Sequence, residues 1–273
     1  MTRFMDLWTE ALLSSLSDAS LLVGDLPEAK CFTRSKLGTG VSGFHLNFEQ
    51  KLGHLYEDAL LHLLEQSEVL SPLAAHLQVI DGSRVTVGEM DFLVRDAQAQ
   101  RDLHLELAVK FYLAHQRDCR WHFPGPDARD NWHRKLARMR THQLRMTERP
   151  EARELLREQF GVEEVDVQQL IYGRLFVPVE RDDCPLPEGM SEDGLRGRWL
   201  YCHQWGRLFA SVKTIRVIPK LLWPALLNEA LVESLPVVSE ADLLGQASVR
   251  CTMFVAGDSP EPFFLVPDSW PNA

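Results

Sequence analysis

Residues 88–113 read GEMDFLVRDAQAQRDLHLELAVKFYL, and the fold turns on how this stretch is parsed. Side chains alternate between faces along a strand. On that period Leu103, Leu105, Leu107, Val109 and Phe111 share one apolar face. His104, Glu106, Ala108, Lys110 and Tyr112 share the other. Glu89 and Asp91 fall together on the preceding run, and the polar segment 96–102 between the two runs reads as a turn. The stretch is therefore two antiparallel strands with a core face. Its second face sets a carboxylate and an ammonium inside a very apolar run. Buried charge is costly unless it is paired or bound to something, so chemistry is sought on that face first.

Working upstream, residues 85–95 are one strand, Asp81-Gly82 a hairpin-type turn, and residues 76–80 a shorter strand, which gives a three-stranded meander. Ser71-Pro72 closes the region before it. Residues 48–66 carry Leu52, Leu55, Tyr56, Ala59, Leu60, Leu63 and Leu64 at helical spacing. Glu57 has Leu60, Leu61 and Leu64 as its helical neighbours, which places a carboxylate at the edge of the buried stripe. Residues 1–44 read as a short helix and an irregular connection. Its GTGVSG lacks the Gly-Lys-Ser/Thr ending and the preceding strand of a phosphate loop.

Downstream, residues 115–127 read as a loop, 129–146 and 151–160 as helices, and 165–179 as a strand. The remainder, 181–273, mixes short strands with one helix and reads as an α+β C-terminal extension packed on a core of residues 45–180. His104 reads as a solvated residue at a strand end.

Composition narrows the function classes. The chain has 273 residues, 45% of them hydrophobic, with a net charge of −10. No apolar run approaches the roughly 20 residues of a membrane span, and the opening residues are too acidic for a signal peptide. Five scattered cysteines without a CxxC pair argue for reduced thiols, hence a cytoplasmic protein without membrane attachment. Overall acidity argues against a chain coated in nucleic acid, yet residues 129–149 hold seven Lys/Arg against two acidic residues. Arg134, Arg138 and Arg145, spaced by 4 and 7, share one helical face with Lys135 beside them. Such a face is either solvated surface or a grip on phosphates.

The order helix, three strands, helix, strand is similar to the core of the PD-(D/E)XK nuclease superfamily. The segments KLGHLYED, GEMDFLVRD, HLELAVKFYL and GPDARDNWHRKLARM also resemble an uncharacterised bacterial domain-of-unknown-function family placed in that superfamily. The resemblance implies a restriction-endonuclease-like α/β core. It further implies a phosphodiesterase site using Mg²⁺ or Mn²⁺, with nucleic acid as partner and DNA ahead of RNA. By position, Asp91 is the first metal ligand, Lys110 the motif lysine, and Glu57 the helix carboxylate.

One departure stands out. The superfamily's usual acid two residues before the lysine is here Ala108. Glu106 lies two residues further back, about 13 Å of strand from Lys110 instead of about 7 Å. Either Glu106 substitutes, with Glu89 as a further ligand, or the fold binds nucleic acid or a protein partner without cleaving anything.

Overall fold

The computed structural model describes residues 2–40, 43–257 and 259–272; Val41 and Ser42 of the GTGVSG segment lie outside them. The chain opens with helix α1 (Thr2–Asp18) and a two-residue strand, β1 (Lys30–Cys31). Helix α2 (Leu52–Glu65) precedes three long strands, β2 (Leu70–Ile80), β3 (Thr86–Asp96) and β4 (Arg101–Leu113). A small hairpin of β5 (His115–Arg117) and β6 (Arg120–His122) leads into α3 (Trp132–Thr141), a 3-10 turn (Gln143–Glu148) and α4 (Pro150–Phe160). Strand β7 (Val165–Pro178) follows. The rest comprises β8 (Arg196–Tyr201), α5 (Trp205–Leu208), β9 (Ile215–Val217), α6 (Glu229–Ser234), β10 (Val237–Val238), α7 (Glu240–Ala247), β11 (Thr252–Ala256) and β12 (Phe263–Val266).

These strands build one mixed ten-stranded sheet in the order β10-β9-β11-β12-β8-β7-β4-β3-β2, with β1 also on β7. Pairing is antiparallel toward both edges, and β4, β7, β8 and β12 run parallel through the middle. The segment after residue 180 thus continues the same sheet. One face of β4 and β7 packs Leu105, Leu107, Leu170 and Tyr172 against α1, α2 and the C-terminal segment. The opposite face packs Tyr112 and Ile171 against Trp132 and Leu136 of α3. Farther along, Leu93 of β3 meets Ala152 and Leu156 of α4. No helix among the described residues is long and apolar enough to cross a membrane.

The expected meander is present, with several boundaries moved. Helix α2 ends at Glu65, ahead of Ser71-Pro72, but the first strand starts at Leu70 and not at residue 76, so it takes in Pro72. That proline lies inside β2, an edge strand where a missing N–H costs no ladder bond, at a register shift between Pro72 and Ala74. The expected helix 129–146 starts where the Asn131 side chain caps the His133 N–H at 3.0 Å, and it breaks at His142 into the 3-10 turn. The expected loop 115–127 contains the β5–β6 hairpin. His104 is not at a solvated end; it is fully buried, because α3 and the turns after it cover the charged face of β4. Sequence period alone cannot say whether a mixed face is covered, since an outward polar face and a covered one read alike.

Candidate active site

The sheet splits at the stretch quoted first. Strands β3 and β4 pair from Asp96↔Arg101 to Phe92↔Leu105 and then part. The next ladder bond is replaced by a side chain: Asp91 Oδ2 accepts the Leu107 N–H at 2.8 Å. Face alternation also breaks here. Phe92 packs on the α2 side of the sheet, whereas Met90, two residues back, packs with α4. On β2, Ala75 and Leu77 change sides in the same way, around His76 in a left-handed conformation (φ 52°). Further along β4, the Leu113 N–H donates to Pro124 O at 2.8 Å, so a loop takes over where β3 has left. A cavity of about 1130 Å³ opens in this fork and reaches both faces of β4.

Asp91 and Glu106 lie opposite each other at the root of the fork. Burial, then the neighbouring Glu106 charge, push the Asp91 carboxyl up to about 8. Glu57 and Glu89 add smaller repulsions, and the bond from Leu107 N–H opposes them. Glu106 is 1% exposed. Its Oε1 accepts from Gln143 Nε2, and its Oε2 has no hydrogen-bond partner, with His104 Nε2 3.7 Å away. Both ring nitrogens of His104 also lack a hydrogen bond. A buried carboxylate oxygen left unmatched is unusual, and this one has a buried histidine as its neighbour.

Two lysines line the same cavity, Lys110 from β4, four residues along from Glu106, and Lys135 from α3. Burial, then repulsion by Lys110, bring the Lys135 ammonium down to about 8, against the pull of Glu106. Lys135 Nζ donates to Gln143 Oε1 at 2.6 Å, so one carboxamide joins Lys135 to Glu106. Glu57 enters from the first turns of α2. Its Oε2 is 2.8 Å from His54 Nδ1 and 3.6 Å from His76 Nδ1. Glu89 is exposed, its Oε1 3.6 Å from the same His76 nitrogen.

The structure thus brings Asp91, Glu106, Lys110 and Glu57 to one cavity, whereas Glu89 is not among its lining residues and is linked to Glu57 only through His76. Arg134, Lys135, Arg138 and Arg145, singled out from the seven basic residues of 129–149, separate. Lys135 turns into the cavity, while Arg134 and Arg138 are exposed on α3. Arg145 is past the helix end, in the 3-10 turn, where it meets Glu148 at 3.3 Å. Helical spacing does not carry across that break, so Arg145 is not on the Arg134 and Arg138 face. Sequence reasoning did not place Gln143, His54 or His76 at the site. His54 stands three residues before Glu57 on one helix turn, which is a readable signal. His76 becomes readable only through the β2–β3 register, and Gln143 only through the helix break. Exposed Lys51, Lys220 and Arg250 were missed as well; each lines the cavity from a different segment. Among the described residues, no three His, Cys, Asp or Glu side chains already converge as a ready-made metal cage.

A family model described as Domain of unknown function (DUF1853) matches residues 22–251. No curated protein matches the chain. No solved structure matches it.

Proposed function

We propose a function from the site for a chain that belongs to the DUF1853 family, whose description carries no activity. The proposed activity is metal-dependent hydrolysis of nucleic-acid phosphodiesters, on a core of the PD-(D/E)XK kind. The observation that carries it is the Asp91–Glu106 pair: two carboxylates held at the root of one cavity, one with a raised affinity for a proton and the other with an unmatched buried oxygen. A divalent cation answers both, because it supplies the positive charge the pair lacks and takes hard oxygen ligands. Asp91 and Glu106 would hold Mg²⁺ or Mn²⁺, with Glu89 and Glu57 near enough to add charge. The ion's contribution is to polarise a phosphoryl oxygen and to acidify a bound water.

The chain's own groups supply the rest. Lys110 and Lys135 set positive charge in the same cavity as the acids, where an entering phosphate brings negative charge. Gln143 orients Glu106 by donating to Oε1 and couples it to Lys135. The Lys135 ammonium, down at about 8, exchanges its proton near neutral pH.

The test is cleavage of single- and double-stranded DNA and RNA in Mg²⁺ and in Mn²⁺, by wild type and by Asp91→Ala. Metal-dependent cleavage lost in Asp91→Ala supports the reading; cleavage that is absent, or indifferent to the substitution, refutes it. A second reading is favoured by Ala108, which leaves no carboxylate at the middle of the strand. On that reading the same cavity binds nucleic acid without cutting it, and salt-dependent binding without cleavage is the expected result.

A further inference from the structure

We infer that the cavity admits a single strand of nucleic acid, or a frayed end, and excludes an intact duplex. This rests on the reading of the site as one that acts on phosphodiesters. Exposure is graded along the cavity. Lys51, Arg129, Lys220 and Arg250 are exposed at its mouth, whereas Glu106 at its root is 1% exposed. The mouth is therefore basic, on a chain whose net charge is −10, and it leads to a root where Asp91 and Glu106 sit with Lys110 and Lys135. Of the mouth cations, Arg129 is tied to Asp127 at 2.7 Å, which leaves Lys51, Lys220 and Arg250 to attract a polyanion. Arg250 is the one basic residue after Leu221, in a segment with seven acidic residues. Its position at the mouth concentrates the positive charge of that segment where an anion enters.

Size excludes a duplex. A cavity of about 1130 Å³ slightly exceeds the ~300–1,000 Å³ typical of small-ligand sites, enough for a few nucleotides of one strand. A duplex is a rigid rod with its phosphates outside; it can lie across the mouth but cannot carry a phosphate down to Glu106. A single strand can. Phe111, Trp223 and Trp270 reach the walls from the hydrophobic core, where each is buried and Phe111 packs edge-on against Trp223. A cationic groove that tracks the backbone holds single strands without reading their sequence.

The experiment uses the full-length protein and a labelled DNA of about 12 nucleotides, as a single strand and as a blunt duplex. Binding is followed by fluorescence anisotropy in EDTA at low salt, and cleavage separately in Mg²⁺. The expected result is at least tenfold tighter binding of the single strand, with Lys220→Glu/Arg250→Glu weakening it and lowering the salt slope by about 1.4. Circular dichroism verifies that the double variant is folded, and single Lys220→Ala and Arg250→Ala variants repeat the test with less charge change. Equal or tighter duplex binding overturns the inference, as does no binding of either. Preferential single-strand binding without cleavage keeps the inference and refutes the nuclease reading, so the two fail separately.

Discussion

Asp91 links the site to folding through its proton. Its carboxyl titrates at about 8 in the folded chain, above the ordinary aspartate value of 3.8. A folded state that holds a proton more tightly than the unfolded state is favoured at low pH. That contribution is complete below about 4, and it is lost as pH rises through about 8. The metal-free protein is therefore expected to lose a few °C of melting temperature between pH 5 and pH 9 on this account. Asp91→Asn keeps an oxygen for the Leu107 N–H and cannot ionise, so its melting temperature should fall less over the same range. Parallel slopes for the two proteins in EDTA would contradict the assignment. Gly173 makes a second prediction at this scale. It lies opposite Lys110 on β7 with φ 138°, and a Cβ there would fall 1.6 Å from Lys110 O. Gly173→Ala has to displace the backbone that carries Lys110, at an expected cost of ~3 kcal/mol or more, read from urea unfolding. A loss within ~0.5 kcal/mol would mean that the two strands do not approach so closely in solution.

Elements explain which parts of the site were legible in the sequence. The alternation in 103–113 separates the two faces of β4 correctly, because β4 stays paired with β7 along this whole stretch, even where β3 has left it. Asp91 and Glu106 are recoverable from that alternation plus a short turn. What breaks the period was not recoverable: the left-handed His76, the parting of β3 from β4, and the end of α3 before Gln143. Each is settled by long-range contacts, and none leaves a local composition signal. The end of α3 has an energetic consequence. Gln143 is the sole hydrogen-bond partner described for Glu106, and it also accepts from Lys135. Gln143→Leu leaves a buried carboxylate and an ammonium unmatched, which should cost ~1–3 kcal/mol. It should also weaken Mg²⁺ dependence of cleavage by about 10–100-fold, while Gln143→Glu, which replaces the donor with a second acid, should be worse. Unchanged stability in Gln143→Leu would show that the carboxamide bridges nothing of consequence.

At the scale of the whole molecule, the segment after residue 180 completes both the sheet and the cavity. Strand β8 pairs with β7, and Trp199 Nε1 donates to Ala114 O at 2.9 Å. Residues 217–223, 249–253 and 267–270 form one side of the cavity. A chain ended at 180 is expected to lose cooperative thermal unfolding and to bind hydrophobic dyes, since it bares the β7 edge and Phe176 together. A soluble, cooperatively melting truncation would show that the first part folds alone. The fork has one more consequence, for the main chain. Along β4 the N–H groups of odd-numbered residues face away from β7, as Leu107 and Leu113 show by bonding to Asp91 and Pro124. Between them, Val109 and Phe111 turn their amides toward the opening left by β3. Those amides should exchange with deuterium faster than Ala108, Lys110 and Tyr112 on either side, and slow when the cavity fills. Two fixed donors of this kind belong to the peptide backbone, so an alanine scan of the cavity will recover less than the whole affinity of whatever enters it.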